Sequence, residues 1–351
     1  MELFKLNTRA IILALIVGMF AVSISCSEDQ TEEVTVDKEN LKQMIDSAQT
    51  LLDNTTEGTA EGQYQRGAKD ELKNTLENAQ VVYDNEDATQ SEVDNATVAL
   101  EKAIEDYLSK EITPIAPDAL SGHWTFDEGS GSTAKDYSEN GLDGELLEAP
   151  DGWNGGKPEW TTDRYGDEGQ ALYFNEGSRI KVPYNPAINP DQMTIALWVY
   201  ASEVLENNRF IGLHSWNGYK FQLQSANKAF FTAATTDGIY DKDTDPALET
   251  EQWYHLAVTV GDGNMVFYIN GTETQKWEDV PGTMKTVSGN DLVFGVDCDK
   301  YSSSTDNFDE NTEIPLAWGG YLHGKLDEIR FYNTILTESQ ISSIYDQEKP
   351  E

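Results

Sequence analysis

The sequence predicts a multidomain protein in which an N-terminal three-helix bundle is followed by an all-β jelly-roll sandwich. The chain has 351 residues, more than the roughly 250 to 300 that one hydrophobic core usually organises. Residues 37–110 contain no proline and repeat apolar side chains at helical spacing. Residues 120–346 instead contain many short runs rich in β-branched and aromatic residues between turns, without helices alternating between them. Two separate folding units are therefore expected.

The first 25 residues have the pattern of a secretory signal. Lys5 and Arg9 precede an apolar run over residues 10–24, which is too short for a stable membrane span. Cys26 follows small residues at the end of that run, so the segment resembles a bacterial lipoprotein signal. The resemblance implies lipid attachment at Cys26. The alternative is an ordinary signal with a chance cysteine.

Residues 26–36 form a short acidic tether that begins CSEDQTEE. This run resembles the export tag of Bacteroidetes surface lipoproteins, and the resemblance implies an outer-membrane, lipid-anchored protein that faces the cell exterior. A plain solvated tether is the alternative. Removal of residues 1–25 leaves 62 acidic and 22 basic residues, which gives the mature chain a net charge of −40.

The composition restricts both partners and disulfides. The whole chain carries 63 acidic and 24 basic residues, whereas binding to a phosphate backbone needs a basic surface that releases counterions. Nucleic acid is therefore excluded as a partner. Cys26 and Cys298 are the two cysteines, so lipid on Cys26 would leave no intrachain disulfide. Cys298 is expected either as a packed side chain or as an exposed thiol.

Three amphipathic stripes define the helical segment. They begin at Leu41, Ala68 and Val93. Thr89 and Glu92 stand at the spacing of a capping box, in which each side chain bonds the other's free backbone N–H group. Three amphipathic helices with short connections predict an antiparallel bundle.

Part of this segment also carries a family resemblance. Residues 76–108, LENAQVVYDNEDATQSEVDNATVALEKAIEDYL, resemble the FIVAR repeat of bacterial surface proteins. The resemblance implies a small bundle that acts as a stalk. A sugar site on the bundle is the alternative, but its aromatic side chains are limited to Tyr64, Tyr83 and Tyr107. We therefore expect residues 37–110 to be a spacer.

A linker and a β-rich segment follow the bundle. Residues 111–119 contain two prolines and break the helical period, which predicts a stiff linker. The dipeptides Asp262-Gly263 and Asn270-Gly271 supply the positive φ angles that tight hairpin turns need. Residues 120–346 are thus expected to form a sandwich of two antiparallel sheets, with residues 347–351 as a tail.

The motifs of the β-rich segment narrow its fold. They are HWTFDEGSGSTAKDYSENGLDGEL, MTIALWVYAS, QWYHLAVTVGDGNMVFYINGTE and LHGKLDEIRFYNTILTESQISSIYD. Their order and spacing resemble the laminin-G-like, concanavalin-like jelly rolls of bacterial surface proteins. A final helix capped by Thr337 with Gln340 completes the resemblance.

The resemblance also implies a structural Ca²⁺ ion that pins the opening loop to the last long strand. Asp127, Asp136 and Asp327 stand at the motif positions, and carboxylate oxygens suit this hard cation. Carboxylates that cap loops without a metal are the alternative. Two further acidic runs, residues 241–245 and 297–310, lack a recognisable metal-binding frame, so either a metal site or a solvated loop is possible for each.

Aromatic residues in predicted loops are the candidate sugar site. An aromatic face packs against the C–H face of a pyranose, while nearby polar groups bond its hydroxyls. The aromatics inside predicted strands, among them Trp198 and Trp253, are instead assigned to the core. The candidate glycan-binding residues are Trp216, Tyr219, Tyr240, Trp318 and Tyr321.

The sequence disfavours a catalytic function, because the expected hydrolase motif is missing. Retaining hydrolases of the concanavalin-like fold carry two Glu and one Asp closely spaced on one strand. Only Glu92 has an Asp two residues on, and it lies in the helical segment without a second Glu. A glycoside hydrolase or lyase is therefore less favoured than a protein without catalytic activity.

Together these features predict a non-catalytic cell-surface glycan-binding lipoprotein that captures polysaccharide for a glycan-uptake system. Neutral glycans are favoured as ligands, because a chain at −40 repels polyanions. Uptake-system proteins are further expected partners. The alternative is an adhesin or protein assembly module that uses the same jelly-roll loops.

Overall fold

The computed structural model describes residues 36–304 and 314–351. The predicted signal, Cys26 and nearly all of the tether lie outside the described residues, as do Asp306, Asp309 and Glu310 of the second acidic run. The chain divides into two compact units between Thr113 and Pro114. Among the described residues, no helix is long and apolar enough to cross a membrane.

The first unit is the three-helix bundle that the sequence predicts. Its helices are α1 (Glu39–Asn54), α2 (Ala68–Asp84) and α3 (Gln90–Ser109). Their apolar stripes meet in a core that contains Leu41, Leu72 and Leu100, each at most 1% exposed. Thr89 and Glu92 form the predicted capping box at the start of α3. Satisfied N-terminal donors and buried stripes explain why this segment is helical.

The second unit contains eighteen strands and a terminal helix within the described ranges. The strands are β1 (Leu120–Trp124), β2 (Thr133–Ala134), β3 (Gly144–Leu147), β4 (Glu159–Thr161), β5 (Ala171–Phe174), β6 (Arg179–Val182), β7 (Met193–Ala201), β8 (Asn207–Leu213), β9 (Tyr219–Gln224), β10 (Lys228–Thr235), β11 (Gly238–Ala247), β12 (Trp253–Gly261), β13 (Asn264–Ile269), β14 (Thr272–Trp277), β15 (Leu292–Phe294), β16 (Tyr301–Ser302), β17 (Ile314–Pro315) and β18 (Gly324–Tyr332). The helix is α4 (Glu338–Glu348), and its predicted capping box of Thr337 and Gln340 is present.

Most of these strands form two antiparallel sheets. The first sheet has the order β14-β13-β12-β7-β18-β5-β4, and β1 also pairs with β18. The second sheet has the order β11-β10-β9-β8-β15-β6-β3-β2, while β16 and β17 form a separate parallel pair. Non-consecutive neighbours in both sheets are the signature of a jelly roll rather than a meander. The predicted fold class, a helical bundle followed by a concanavalin-like jelly-roll sandwich, is confirmed.

One apolar core fills the space between the two sheets. Its large side chains include Trp124, Phe174, Phe221, Phe231 and Phe294, all at 0% exposure. The alternation of side chains along each strand sends every second residue into this core. The remaining residues of each strand lie on the outer faces of the sandwich, where any site on a sheet has to be built.

The long edge strands of the two sheets meet at one corner of the sandwich. The Thr244 hydroxyl of β11 donates to the Thr274 hydroxyl of β14 over 2.9 Å, and the Trp277 indole N–H donates to the Asp243 carbonyl over 2.9 Å. At the opposite side the sheets end in β2 and β4, which have two and three residues. The sandwich is therefore closed at one corner and bounded by very short strands at the other.

Helix α4 is held over the outer face of the first sheet by a polar network. Arg164 pairs with Asp327 and donates from Nε to the Glu348 carbonyl over 2.6 Å. The Trp198 indole N–H donates to the Glu348 carboxylate over 2.8 Å. Burial raises the pKa of the Asp327 carboxyl to about 8, against the opposing effect of the Arg164 charge. This network covers Trp198, so its burial is beneath α4 and not between the sheets.

Candidate functional site

Two of the predicted sugar-contacting residues line one surface cleft of about 250 Å³. Trp216 and Trp318 belong to segments about a hundred residues apart in the chain, and the fold brings both to this cleft. The remaining lining residues provide two isoleucines and three polar side chains; they are Ile239, Ile314, His214, Ser215 and Asn217. The cleft therefore combines ring faces, aliphatic surface and hydrogen-bonding groups.

The loop between β8 and β9 holds Trp216 in place. His214 and Ser215 adopt left-handed φ angles of 56° and 44°, and a single 3₁₀ turn over Ser215–Asn217 follows. Gly218 closes the loop where a Cβ atom would lie 2.2 Å from the Leu213 carbonyl oxygen, so glycine is required there. This tight closure directs the Trp216 side chain to the outer surface of the second sheet.

A buried lysine supports the Trp216 ring. The Lys220 Nζ lies 3.5 Å from the ring centroid, and Lys220 is only 2% exposed. Burial lowers the pKa of Lys220 to about 7, and the nearby Arg209 charge adds to the effect, while Asp297 and Asp241 oppose it. Lys220 is not predictable from the sequence as a site residue, because a lysine between apolar residues in a strand usually lies on a solvated face.

Next to Lys220, an ion pair and a tyrosine form a second buried polar group. The Arg209 Nε lies 3.0 Å from the Asp297 carboxylate, and Asp297 is 0% exposed. The Tyr301 hydroxyl donates to Asp297 and accepts from the Cys298 backbone N–H over 3.2 Å. Asp297 is therefore a buried, ion-paired residue, so the solvated-loop alternative does not hold at this position. Cys298 is buried as well, which selects the packed alternative over the exposed thiol.

Trp318 and Ile239 form the solvent-exposed part of the cleft. Trp318 is 51% exposed and lies in a turn in which its backbone N–H donates to the Pro315 carbonyl over 2.9 Å. Ile239, near the start of β11, is 54% exposed. Large apolar side chains at this exposure, side by side at a cleft, are typical of a binding surface.

The other three predicted aromatics do not line this cleft. Tyr219 is wrong as a loop residue, because it is the first residue of β9, has 0% exposure, and donates its hydroxyl proton to the Ile188 carbonyl over 2.7 Å. Tyr240 lies in β11 and packs against the core. Tyr321 packs edge-on against Trp153 at 5.4 Å between ring centroids. The alternation of side chains along β9 and β11 determines where the rings of Tyr219 and Tyr240 point.

The first acidic run is a strand and not a loop. Asp241, Asp243 and Asp245 all lie in β11. Each contacts a side chain of β9 or β10: Asp241 accepts from Thr232, Asp243 accepts from Gln224, and Asp245 lies 3.4 Å from the Lys228 Nζ. Their spacing of two residues is the period of a β-strand, which places these carboxylates on one face.

Asp136 is saturated by protein donors. Its carboxylate accepts from the backbone N–H groups of His123, Ser138 and Leu142 over 2.7 to 2.8 Å, and also from the Ser138 hydroxyl. This arrangement is the loop-capping alternative to the calcium site. A carboxylate that accepts several backbone bonds has few lone pairs left for a cation.

The other two candidate calcium ligands have different environments. Asp327 is paired with Arg164 beneath α4, and Asp127 is exposed. In the described residues, no group of three or more His, Cys, Asp or Glu side chains is arranged to hold a metal ion. These three carboxylates therefore do not fit a calcium site, and calcium binding by the chain remains a sequence-based prediction.

Family models match both units of the chain. Residues 37–107 match the FIVAR domain, and residues 174–342 match the concanavalin A-like lectin/glucanases superfamily. No curated protein sequence is significantly similar to the chain.

The solved structures similar to the chain include one domain of an arabinanase and one of a neurotoxin. One is domain 4 of a GH43 extracellular arabinanase from Geobacillus stearothermophilus in complex with arabinotriose, at 23% identity and a TM-score of 0.48, covering 64% of this chain and 98% of that one. Another is the binding domain of botulinum neurotoxin serotype D, at 16% identity and a TM-score of 0.43, covering 66% of this chain and 52% of that one. At these levels, no ligand is carried over to this chain.

Proposed function

Because the chain joins a FIVAR domain to a domain of the concanavalin A-like lectin/glucanases superfamily, we propose that it is a non-catalytic glycan-binding protein whose sugar site is the Trp216–Trp318 cleft. The observation that carries the proposal is the convergence of these two indoles on one cleft of about 250 Å³. Indole faces bind the C–H faces of sugars, and pockets of this kind use a few polar groups to fix orientation.

The polar lining residues supply the second half of sugar recognition. His214, Ser215 and Asn217 follow one another in the loop that carries Trp216, so their side chains and the indole belong to one rigid turn. A sugar stacked on the indole would present its hydroxyls to these donors and acceptors. Among the described residues that line the cleft there is no carboxylate, so these side chains provide no acid and base pair of the kind that glycoside hydrolysis uses.

The proposal extends to the location of the protein. Lipid at Cys26 would anchor the chain to the outer membrane with the jelly roll facing the cell exterior, and the FIVAR bundle would act as a spacer. Captured polysaccharide would then pass to partner proteins of an uptake system. Replacing Cys26 by Ala should move the protein from the membrane fraction to the soluble fraction. Recovery of the variant in membranes, at the level of the parent chain, would contradict the anchor.

The ligand is proposed to be a neutral polysaccharide. The net charge of −39 for the whole chain repels polyanions, although salt limits this repulsion to about 8 Å at physiological ionic strength. Uronic polymers should therefore bind more weakly than neutral ones, and the difference should shrink as salt is added. Tight binding of a uronic polymer in chelator, with no binding of neutral polymers, would contradict this argument.

Affinity electrophoresis tests the proposed function. The full-length chain is run through gels that contain arabinan, xylan, mannan, mixed-linkage β-glucan, polygalacturonate or alginate. We expect retardation by at least one neutral polymer, clearly weaker retardation of Trp318→Ala, and no change in Tyr137→Ala, an equally exposed aromatic outside the cleft. Retardation by none of them would favour the adhesin alternative, and release of reducing ends from a bound polymer would indicate a hydrolase.

A further inference from the structure

A second set of aromatic side chains crosses the first sheet on its outer face. Five residues pair directly across neighbouring strands. They are Glu159 of β4, Tyr173 of β5, Lys325 of β18, Tyr200 of β7 and Trp253 of β12. Directly opposed residues of antiparallel strands point to the same face. These five side chains, called the sheet-one row below, therefore form a continuous line perpendicular to the strands.

The strand alternation shows that the row faces outward. The residues next to Tyr173, Lys325 and Tyr200 in their strands are Leu172, Leu326 and Val199, which all belong to the core between the sheets. The three aromatic residues of the row do not belong to that core, and each is partly exposed. A row of rings that faces away from the core and retains accessible surface is a binding platform by geometry.

Neighbouring side chains hold the rings of the row in place. The Lys325 Nζ lies 5.3 Å from the Tyr200 ring centroid, and the Trp253 ring lies 5.7 Å from the Tyr200 ring at an angle of 58°. The His323 Nε2 lies 2.6 Å from the Tyr173 hydroxyl. Rings fixed in this way lose little conformational entropy when a ligand binds, which lowers the cost of association.

Helix α4 covers the adjacent row of the same sheet but not this one. Trp198, two residues before Tyr200 in β7, is 2% exposed because it bonds Glu348 and stacks on Tyr345 of α4. The same face of the sheet thus carries one sealed aromatic row and one accessible row. Of the two rows, only the accessible one has surface that a ligand can reach.

We propose that Tyr173, Tyr200 and Trp253 form a second binding surface, which holds an extended linear polysaccharide across the strands of the first sheet. Adjacent strands lie about 4.8 Å apart, close to the length of one sugar residue in an extended chain. Tyr200 and Trp253, on adjacent strands, would therefore meet successive sugars, and Tyr173, two strands beyond Tyr200, would meet a third. The tilt of 58° between the rings of Tyr200 and Trp253 suits a soluble, twisted chain better than a flat crystalline surface.

The polar residues around the row suit a neutral chain. Glu159 is exposed at one end, and Glu203 bonds the imidazole of His323 beside Tyr173. Lys325 is already bonded to the Thr162 carbonyl and hydroxyl over 3.1 and 2.9 Å. Carboxylates beside the rings can accept bonds from sugar hydroxyls but would repel a uronic or sulfated chain.

The test measures the affinity of the full-length chain for soluble arabinan, xylan, mannan and mixed-linkage β-glucan by affinity electrophoresis. Trp253→Ala and Tyr200→Ala should each weaken binding of a retarding polymer about threefold to tenfold. Trp253→Phe, which keeps a ring, should retain most of the affinity. Adding Trp253→Ala to Trp318→Ala should weaken binding by the same further factor, because the two surfaces are on different sheets.

A second measurement protects the test against misfolded variants. The Trp253 indole N–H signal of the ¹⁵N-labelled parent chain, assigned by its absence in Trp253→Phe, should shift on addition of the retarding polymer's hexasaccharide. Unchanged affinity in both alanine variants, an unshifted signal, or retardation by none of the polymers would overturn the proposal. Loss of self-association in Trp253→Ala with full polysaccharide affinity would assign the row to a second copy instead. If only the variants of the sheet-one row lose polysaccharide affinity, this surface is supported and the Trp216–Trp318 cleft is rejected as the sugar site.

Discussion

The Lys220 ammonium lies 3.5 Å from the centroid of the Trp216 ring, so an indole of the proposed sugar site is supported by a buried cation. Burial of an ammonium group costs free energy. A desolvated cation–π contact recovers about 2 kcal/mol of it. The stability of the jelly roll and the position of Trp216 are therefore coupled through one side chain, and several predictions depend on that coupling.

Replacing Lys220 by Met should stabilise the protein below pH 7. Burial lowers the pKa of Lys220 from 10.5 to about 7, so the unfolded chain binds this proton more tightly than the folded chain. The contribution of Lys220 to wild-type stability therefore rises with pH between 7 and 10.5. Its full cost, on the order of 5 kcal/mol, is present below pH 7. Urea denaturation at pH 6, 8 and 10 should show the advantage of Lys220→Met shrinking as pH increases.

Lys242 is the matched control for that variant. Its Nζ lies 4.6 Å from the Trp277 ring centroid, but it pairs with Asp279 over 2.8 Å at the surface. Lys242→Met should cost about 1 kcal/mol or less at all three pH values. A pH-independent effect of Lys220→Met, equal to that of the control, would contradict the buried-cation account.

Trp318→Ala and Trp216→Ala should separate binding from stability. Trp318 is 51% exposed, so its loss should weaken polysaccharide binding about tenfold, as expected for an aromatic contact of roughly 1.4 kcal/mol, and leave the thermal melt unchanged. Trp216→Ala should weaken binding and also lower the melting temperature, because it removes the ring above Lys220. Equal melts for the two variants would show that Trp216 does not support Lys220.

Asp136→Asn tests loop capping against calcium. An amide keeps one acceptor oxygen but loses the charge that strengthens the bonds from His123, Ser138 and Leu142. We expect a loss of about 2 kcal/mol in stability, of the same size in calcium and in chelator. A melting temperature that calcium raises in the parent chain but not in Asp136→Asn would instead restore the calcium site that the sequence predicts.

Thr89→Ala should weaken the bundle by about 1 kcal/mol, because the alanine removes the acceptor for the Glu92 backbone N–H group and ends the capping box. The helical circular dichroism signal at increasing urea concentration measures this loss. Ser91→Ala, an exposed change in the first turn of the same helix, is the control and should be nearly neutral. A similar loss in both variants would show that the cap at Thr89 is not responsible.

The sequence alone was sufficient for the architecture and for two residues that line the proposed cleft. Helical spacing and capping pairs such as Thr89 with Glu92 are local signals, and the structure confirms both. The turns at Asp262-Gly263 and Asn270-Gly271 also adopt the positive φ angles that their residue types predicted. Trp216 and Trp318 were found because each lies in a polar, glycine-containing segment outside the strands.

The remaining site residues depend on strand register, which one sequence does not specify. Tyr219 was assigned to a loop because the start of β9 is one residue away from a turn, and alternation from that position sends its ring into the core. Trp253 was assigned to the core because it is an aromatic in a strand, yet its register partner Tyr200 faces outward with it. The position of Lys220 beneath Trp216 depends on the same alternation of side chains along β9, which one sequence does not specify.

The corner where Thr244 meets Thr274, and Trp277 meets the Asp243 carbonyl, has a consequence for aggregation. Unpaired edge strands recruit strands from other molecules and start cross-β fibres. Here the two long edge strands lie side by side, and on the opposite side β2, β4 and β1 have only two, three and five residues, which leaves little edge to template a ladder. A jelly roll with edges arranged in this way can be present at high local concentration, because its sheets do not readily continue from one molecule into the next.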